Sequence, residues 1–230
     1  VFAEHTVVTE TQAVVIDREV PLASASLIGC AVLTGTGAVL NRAKPRPGSS
    51  AIVIGIGGIG LNVLQGLALS QAGPIIAIDT NPAKEAAAKL FGATHFICAG
   101  PDVDTAEAVK EICPLGVDYA FECVGHPALI RQCIDLLDWG GSCVLLGVPK
   151  FGSEASFVVQ SLYNDKSILG CRYGAARPHH DIPLFVDLYK AGKLKLDELV
   201  SQTFEPEQVQ EALDAMHGGA LNRAVLRFAD

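Results

Sequence analysis

At 230 residues the chain is longer than a typical single domain and short of two full ones, which implies one large core with pieces of another. Hydrophobic residues make up 50% and charged residues 18%, with a mean hydropathy of +0.35; this excludes a disordered chain and suits a parallel sheet covered by helices on both faces. The net charge of −8, from 17 basic and 25 acidic residues, leaves no basic stripe for a nucleic acid.

The chain opens on Val1-Phe2-Ala3-Glu4-His5 and runs directly into an alternating stretch over 6–16, without an initiator Met or a leader. It reads as the middle of a longer protein. No run reaches the ~18 uninterrupted apolar residues of a membrane span, and the start lacks the basic-then-apolar pattern of a signal peptide, so a cytoplasmic location is expected. From residue 51 onward, short β-branched runs alternate with amphipathic segments, the signature of successive βαβ units. Strands are predicted at 51–54, 75–78, 94–97, 117–121, 142–146 and 167–169, with helices at 58–72, 105–112 and 127–137. Another helix follows the second strand, with Asn81 as its cap, Pro82 in its first turn, a Glu85/Lys89 pair and Gly92 as its stop. Six strands with these crossovers predict an α/β, doubly wound parallel sheet that binds its ligand at the carboxyl ends of the strands. Beyond Tyr173 the pattern changes to a helix at 182–191, a strand at 200–204, a helix at 206–216 and a strand at 224–228, a tail that belongs to a second domain. No fixed-period repeat or low-complexity tract is present.

The run Gly55-Ile56-Gly57-Gly58-Ile59-Gly60 fits G-x-G-x-x-G between a predicted strand and a predicted helix. Gly55 allows the tight turn, Gly57 lets a pyrophosphate approach the backbone, and Gly60 lets the helix pack on the strand, while helix-start amides face the phosphates. Taken alone, the pattern also describes a plain strand-to-helix turn. Asp79 ends the second strand about 20 residues later, where a carboxylate accepts both hydroxyls of an adenosine ribose and repels a 2′-phosphate. NAD is therefore expected over NADP; the alternative for Asp79 is a turn residue. Lys84 lies in the first turn of a helix, where the dipole disfavours a cation, and is either a cofactor contact or a solvated lysine.

Glycine loop plus acid occurs in several families, some methyltransferases included. A more specific resemblance begins at Leu27-Ile28-Gly29-Cys30-Ala31-Val32-Leu33-Thr34-Gly35, which resembles the segment entering the coenzyme domain of zinc-dependent medium-chain alcohol dehydrogenases. It continues through 52–60, 75–84, Phe121-Glu122-Cys123-Val124-Gly125, Leu146-Gly147-Val148-Pro149, Gly170-Cys171-Arg172-Tyr173-Gly174 and Leu221-Asn222-Arg223, nearly the whole chain in order. The resemblance implies a Rossmann-type nucleotide domain over 32–172. It also implies remnants of a GroES-like catalytic domain at both ends, 1–31 and 173–230, the latter packing back toward that domain. Cys30 resembles the family's third catalytic-zinc ligand, and Thr34 the residue that backs the nicotinamide ring. Gly55, Gly57, Gly58, Ile59, Gly60, Asp79 and Lys84 fall on the family's cofactor-binding positions. So do Cys123, Val124, His126, Leu146, Val148, Cys171 and Tyr173, and Arg223 resembles the tail residue that reaches the phosphates.

In that family, zinc held by two Cys and one His polarises an alcohol, and the alkoxide passes hydride to the nicotinamide. The other ligands, the proton relay and the structural-zinc lobe are expected upstream of Val1, so these residues alone are expected to bind NAD without turnover. Seven cysteines, with no CxxC pair, read as reduced thiols, and the adjacent His179 and His180 as surface residues. The implied partners are a small alcohol or aldehyde, with no nucleic acid and no membrane, and a homodimer or homotetramer formed through the sixth strand. A zinc-independent quinone reductase remains an alternative, against which Cys30 argues. A polyol dehydrogenase usually carries a glutamate where this chain has Gly29-Cys30, and a non-catalytic nucleotide-sensing module stays open.

Overall fold

The computed structural model describes residues 2–219 and 221–228; Val1, on which the reading of the chain's start falls, lies outside them. The chain divides into two compact units, residues 31–176 and residues 1–30 together with 177–230.

The larger unit is a six-stranded sheet in the order β3-β2-β1-β4-β5-β6, parallel at every pairing. Its strands are β1 (Ala51–Ile54), β2 (Ile75–Asp79), β3 (His95–Cys98), β4 (Val117–Glu122), β5 (Leu137–Leu145) and β6 (Ser167–Gly170). The order reverses between β1 and β4, so a crevice opens beyond their carboxyl ends, as in doubly wound nucleotide-binding folds. A helical run, α1 (Leu22–Ala43), precedes the sheet, and α2 (Gly58–Leu69), α3 (Glu85–Leu90), α4 (Thr105–Ile112), α5 (Pro127–Asp135) and the short α6 (Val159–Leu162) connect the strands. Every residue of β1 is buried because both faces are covered. Ile52, Ile54, Ile76 and Ile78 form one core with Val109 of α4, Cys113 just beyond its end, and Cys133 and Ile134 of α5. The alternate residue Val53 points to the other face, toward α2.

Several boundaries differ from the sequence reading, each for a local reason. The third strand starts at His95 because the Thr94 hydroxyl bonds both the N–H and the C=O of Ile75, acting as the strand's entry clamp. The helix predicted to reach 137 stops at Asp135, and Leu137 opens a nine-residue β5 instead. A register shift between Val117 and Tyr119 accommodates Asp138-Trp139-Gly140-Gly141, a run with the small residues a bulge needs. The helix α1 was not expected. Two π-helical stretches, Ile28–Val32 and Ala38–Ala43, interrupt it, and its glycines weaken any helical signal. It is long and apolar enough to cross a membrane by length and composition, and 61% of that window is buried in the protein, as a core helix would be.

In the smaller unit, α7 (Pro178–Lys190), α8 (Val209–His217) and a two-stranded parallel sheet of β7 (Val200–Phe204) and β8 (Arg223–Leu226) form the tail. The helix α7 begins four residues before the expected start, with Pro178 at its first position and the Asp181 carboxylate accepting the Arg177 N–H at 2.8 Å. Pro183 sits inside the helix. The Ser24 and Tyr189 hydroxyls both donate to the Asp197 carboxylate, which ties the chain's early segment to its tail. His179 and His180 are exposed, and each is bonded, to the Thr11 carbonyl and the Asp181 carboxylate, both at 2.9 Å.

Candidate functional site

The chain leaves β1 at Gly55, whose φ of 92° lies in the left-handed region that a glycine enters without strain. Gly57 caps α2 and Gly60 lies in its first turn, where a Cβ would stand 2.0 Å from the Gly55 carbonyl oxygen. Only a glycine lets the helix start this close to the turn. A Cβ on Gly57, by contrast, would meet nothing within 4 Å. The first-turn N–H groups of α2 lack intrahelical partners, as in any helix, and no side chain from the N-cap fills them. The result is an open, amide-lined end suited to an anion.

Asp79 is the last residue of β2, and its side chain is 13% exposed. Its Oδ2 accepts the Ile56 N–H at 2.7 Å and its Oδ1 accepts the Asn81 N–H at 2.9 Å. A carboxylate has about four acceptor sites, so the two amides leave capacity for a diol. Lys84 Nζ lies 3.8 Å from Asp79 and donates to the Ile56 carbonyl at 3.0 Å. At 16% exposure it is not a solvated lysine. Asn81 caps the turn that carries it, accepting the Ala83 N–H at 3.0 Å.

The far wall of the crevice follows β4. Glu122 is fully buried, and its Oε1 accepts the N–H groups of Val124 at 3.0 Å and Gly125 at 2.8 Å, with Oε2 also accepting from Gly125 at 3.0 Å. Sequence reasoning passed over Glu122, although an acid closing the apolar run Ala120-Phe121 is the signal that marks it. Replacement by Gln would turn one acceptor into a donor facing backbone N–H groups. Glu122→Gln is expected to cost about 1–3 kcal/mol, the penalty for unpaired buried donors. A thermal melt would then fall by roughly 3–10 °C for a chain of this size. An unchanged melt would show that the loop does not depend on this carboxylate.

The next loop docks on the first. A Cβ on Gly147 would sit 1.9 Å from the Gly125 nitrogen, so the segments Cys123-Val124-Gly125 and Leu146-Gly147-Val148 touch backbone to backbone. A Cβ on Gly174 would likewise lie 1.9 Å from the Leu33 carbonyl oxygen, which brings the loop after β6 against α1 beside Thr34. Asn41 of α1 donates to the Gly174 carbonyl at 3.3 Å. Within the larger unit, the ends of β1, β2, β4, β5 and β6 thus converge on one edge.

The remaining expected site residues divide by exposure. Leu146 is buried, Cys123 and Cys171 are half-buried, and Val124, His126, Val148 and Tyr173 are exposed. Burial, reinforced by Glu122, holds the Cys123 thiol well above the usual thiol range; burial raises Cys171 too, with Arg42 acting in the opposite direction. Thiols held neutral in this way are poor nucleophiles. His126 caps α5, its Nδ1 accepting the Ala128 N–H at 3.3 Å. In the smaller unit, Cys30 is exposed, and Arg223 has a buried Nε without a hydrogen-bond partner among the described residues. Burial pulls the Arg223 guanidinium below the usual arginine range, partly opposed by Cys30.

A cavity of about 170 Å³ lies between the ends of β1 and β2 and the start of α5. Ile54, Ile78, Ala99 and Leu129 give it apolar walls, and Asp79, Thr80 and Gln132 bring the polar groups. A larger depression of about 520 Å³ lies against α6, lined by Val159, Gln160, Leu162 and Tyr163. It holds no strong acid or base and is remote in sequence from the glycine turn, so of these two the smaller cavity has the binding chemistry.

Residues 58–191 match the family described as zinc-binding dehydrogenase. The chain is 38% identical to an S-(hydroxymethyl)glutathione dehydrogenase of Synechocystis, over 99% of this chain and 62% of that protein. A probable S-(hydroxymethyl)glutathione dehydrogenase of Schizosaccharomyces pombe is 37% identical, over 98% of this chain and 60% of its own length. Among solved structures, benzyl alcohol dehydrogenase from Acinetobacter calcoaceticus superposes with a TM-score of 0.90 at 33% identity, covering 94% of this chain and 59% of that one. The chain therefore spans about three fifths of the relatives it matches.

Proposed function

The chain belongs to the zinc-binding dehydrogenase family, and from that premise we propose that it is the NAD-binding part of an enzyme interconverting alcohols and aldehydes. The observation that carries this reading is the glycine turn at Gly55 to Gly60 joined to Asp79 through the Ile56 amide. Gly57 leaves room for a pyrophosphate, the α2 amides and dipole favour its charge, and the Asp79 carboxylate accepts from a ribose diol. NAD, when bound, supplies the hydride acceptor. In this reading Thr34, Leu146, Val148, Cys171 and Tyr173 line the path from adenosine to nicotinamide, beside Cys123, Val124 and His126. Arg223 is assigned a phosphate-binding role, supported by its orphaned Nε.

The described residues do not fit zinc as a complete site. Among them no three His, Cys, Asp or Glu side chains cluster to hold an ion, and Cys30 offers one ligand where a catalytic zinc needs three. No step is derived through the metal. In this reading, segments 1–31 and 173–230 belong to the catalytic domain, and the whole protein acts in the cytoplasm on a small alcohol or aldehyde. A dimer or tetramer is part of the reading, supported by β6 as an edge strand beside the exposed Trp139, Val159 and Tyr163.

Calorimetric and thermal titration of the 230-residue chain with NAD tests the proposal. At a hundredfold excess over Kd, NAD is expected to stabilise it by about 2.7 kcal/mol. No stabilisation and no heat of binding would overturn the reading. Incubation with alcohol and NAD is expected to give no steady NADH production from these residues alone, whereas a longer chain supplying the remaining ligands is expected to turn over.

A further inference from the structure

The adenosine end of the crevice holds a polar group that neither the glycine turn nor Asp79 accounts for. Gln132 lies on α5 one turn beyond Leu129, and both line the 170 Å³ cavity with Ile54 and Ala99. Residues three apart share a helix face, so Leu129 and Gln132 present a joint surface to whatever fills the cavity. The Gln132 side chain is half-buried, so its amide stands where it can meet a ligand in the cavity. Asp79 closes the sugar end through its bonds to Ile56 and Asn81, which leaves the apolar recess for a flat base.

We propose that Gln132 is a specificity-determining residue that reads the adenine base, its amide oxygen accepting from the exocyclic amine and its amide nitrogen donating to the adjacent ring nitrogen. The inference rests on the NAD-binding reading above. A glutamine carries one acceptor and two donors, the complement of adenine's donor-acceptor edge, and glutamine-adenine pairs of this kind are known to be bidentate.

The test titrates the chain, Gln132→Leu and Gln132→Glu with three dinucleotides by calorimetry, with thermal melts confirming that each variant is folded. The ligands are NAD, its hypoxanthine counterpart, and the etheno-adenine form in which a two-carbon bridge blocks the amine and ring nitrogen. For a bidentate contact worth ~1–3 kcal/mol, the unmodified chain is expected to bind NAD at least about tenfold more tightly than the etheno form. It should tolerate hypoxanthine, whose donor and acceptor are exchanged, because the amide can turn over. Gln132→Leu is expected to weaken NAD by about tenfold and to narrow its advantage over the etheno form. Gln132→Glu, an acceptor only, keeps one bond to either base, from adenine's amine or hypoxanthine's ring N–H, and sets its second oxygen against an acceptor in both, so it is expected to weaken both ligands by about tenfold. If NAD binds and Gln132→Leu favours NAD over the etheno form by the same factor as the unmodified chain, the inference falls while the site reading stands. If NAD does not bind the unmodified chain, both fall.

Discussion

Gly57→Ala is expected to leave the melting temperature unchanged and to weaken NAD at least tenfold, while Gly60→Ala is expected to damage both. The two glycines stand three residues apart in one turn, and only the space around each distinguishes them. At Gly57, φ −91° and ψ −166° are extended backbone open to any residue, and a methyl group would meet no atom within 4 Å. The folded chain has no reason to reject it. A pyrophosphate has one, because the methyl occupies the volume through which the phosphates reach the α2 amides. At Gly60 the same methyl would stand 2.0 Å from the Gly55 carbonyl oxygen and 3.6 Å from Val53. Backbone must move, and overpacking of this kind costs typically 1–3 kcal/mol, occasionally more. A melt lowered by roughly 3–10 °C is expected, with NAD binding lost because the turn it binds has shifted. Thermal melts and calorimetry on both variants check this. A Gly57→Ala protein with undiminished NAD affinity would mean that the open space beside α2 is not a ligand site.

The sheet was legible in the sequence because buried parallel strands are short β-branched runs, and 51–54 and 75–78 could hardly be read otherwise. The helix Thr105–Ile112 and the strand Val200–Phe204 match their predicted ends, with polar or turn residues marking the boundaries. What escaped was structure whose cause lies elsewhere in the chain. The helix α1 carries Gly29, Gly35 and Gly37, residues that argue against a helix in isolation; close approach to α2 explains Gly35 and close approach to Gly174 explains Gly37. The glycine turn and Asp79 were legible as a site because their spacing follows from one βαβ unit. Glu122 and Gln132 were not, since neither spacing nor periodicity says that an acid will bond the next turn's amides, or that a helix face will close a cavity. Lys84 stood undecided between surface and site, and its carbonyl partner, Ile56, comes from a loop that local sequence does not connect to it.

Asp79→Ala is expected to reverse the dinucleotide preference, weakening NAD by about a hundredfold, the loss of two charge-assisted hydrogen bonds, while improving NADP. The carboxylate does two jobs that the substitution separates. As a structural acceptor it holds the Ile56 and Asn81 N–H groups, and its removal leaves both without that partner at a part-buried position. A cost of about 1–3 kcal/mol per unpaired group is the upper range, since water can reach the rim, and the melt should fall accordingly. As a binding group it accepts from the ribose and repels a 2′-phosphate. Once it is gone, the Lys84 ammonium, formerly 3.8 Å from Asp79 and 16% exposed, has no counter-charge beside it and faces an incoming phosphate instead. A less stable protein would therefore bind NADP more tightly, an outcome that general damage to the fold cannot produce. Parallel titrations of NAD and NADP into both proteins decide it. If the two ligands weaken by the same factor, Asp79 acts only as the clamp of the turn, and the choice of dinucleotide is made elsewhere.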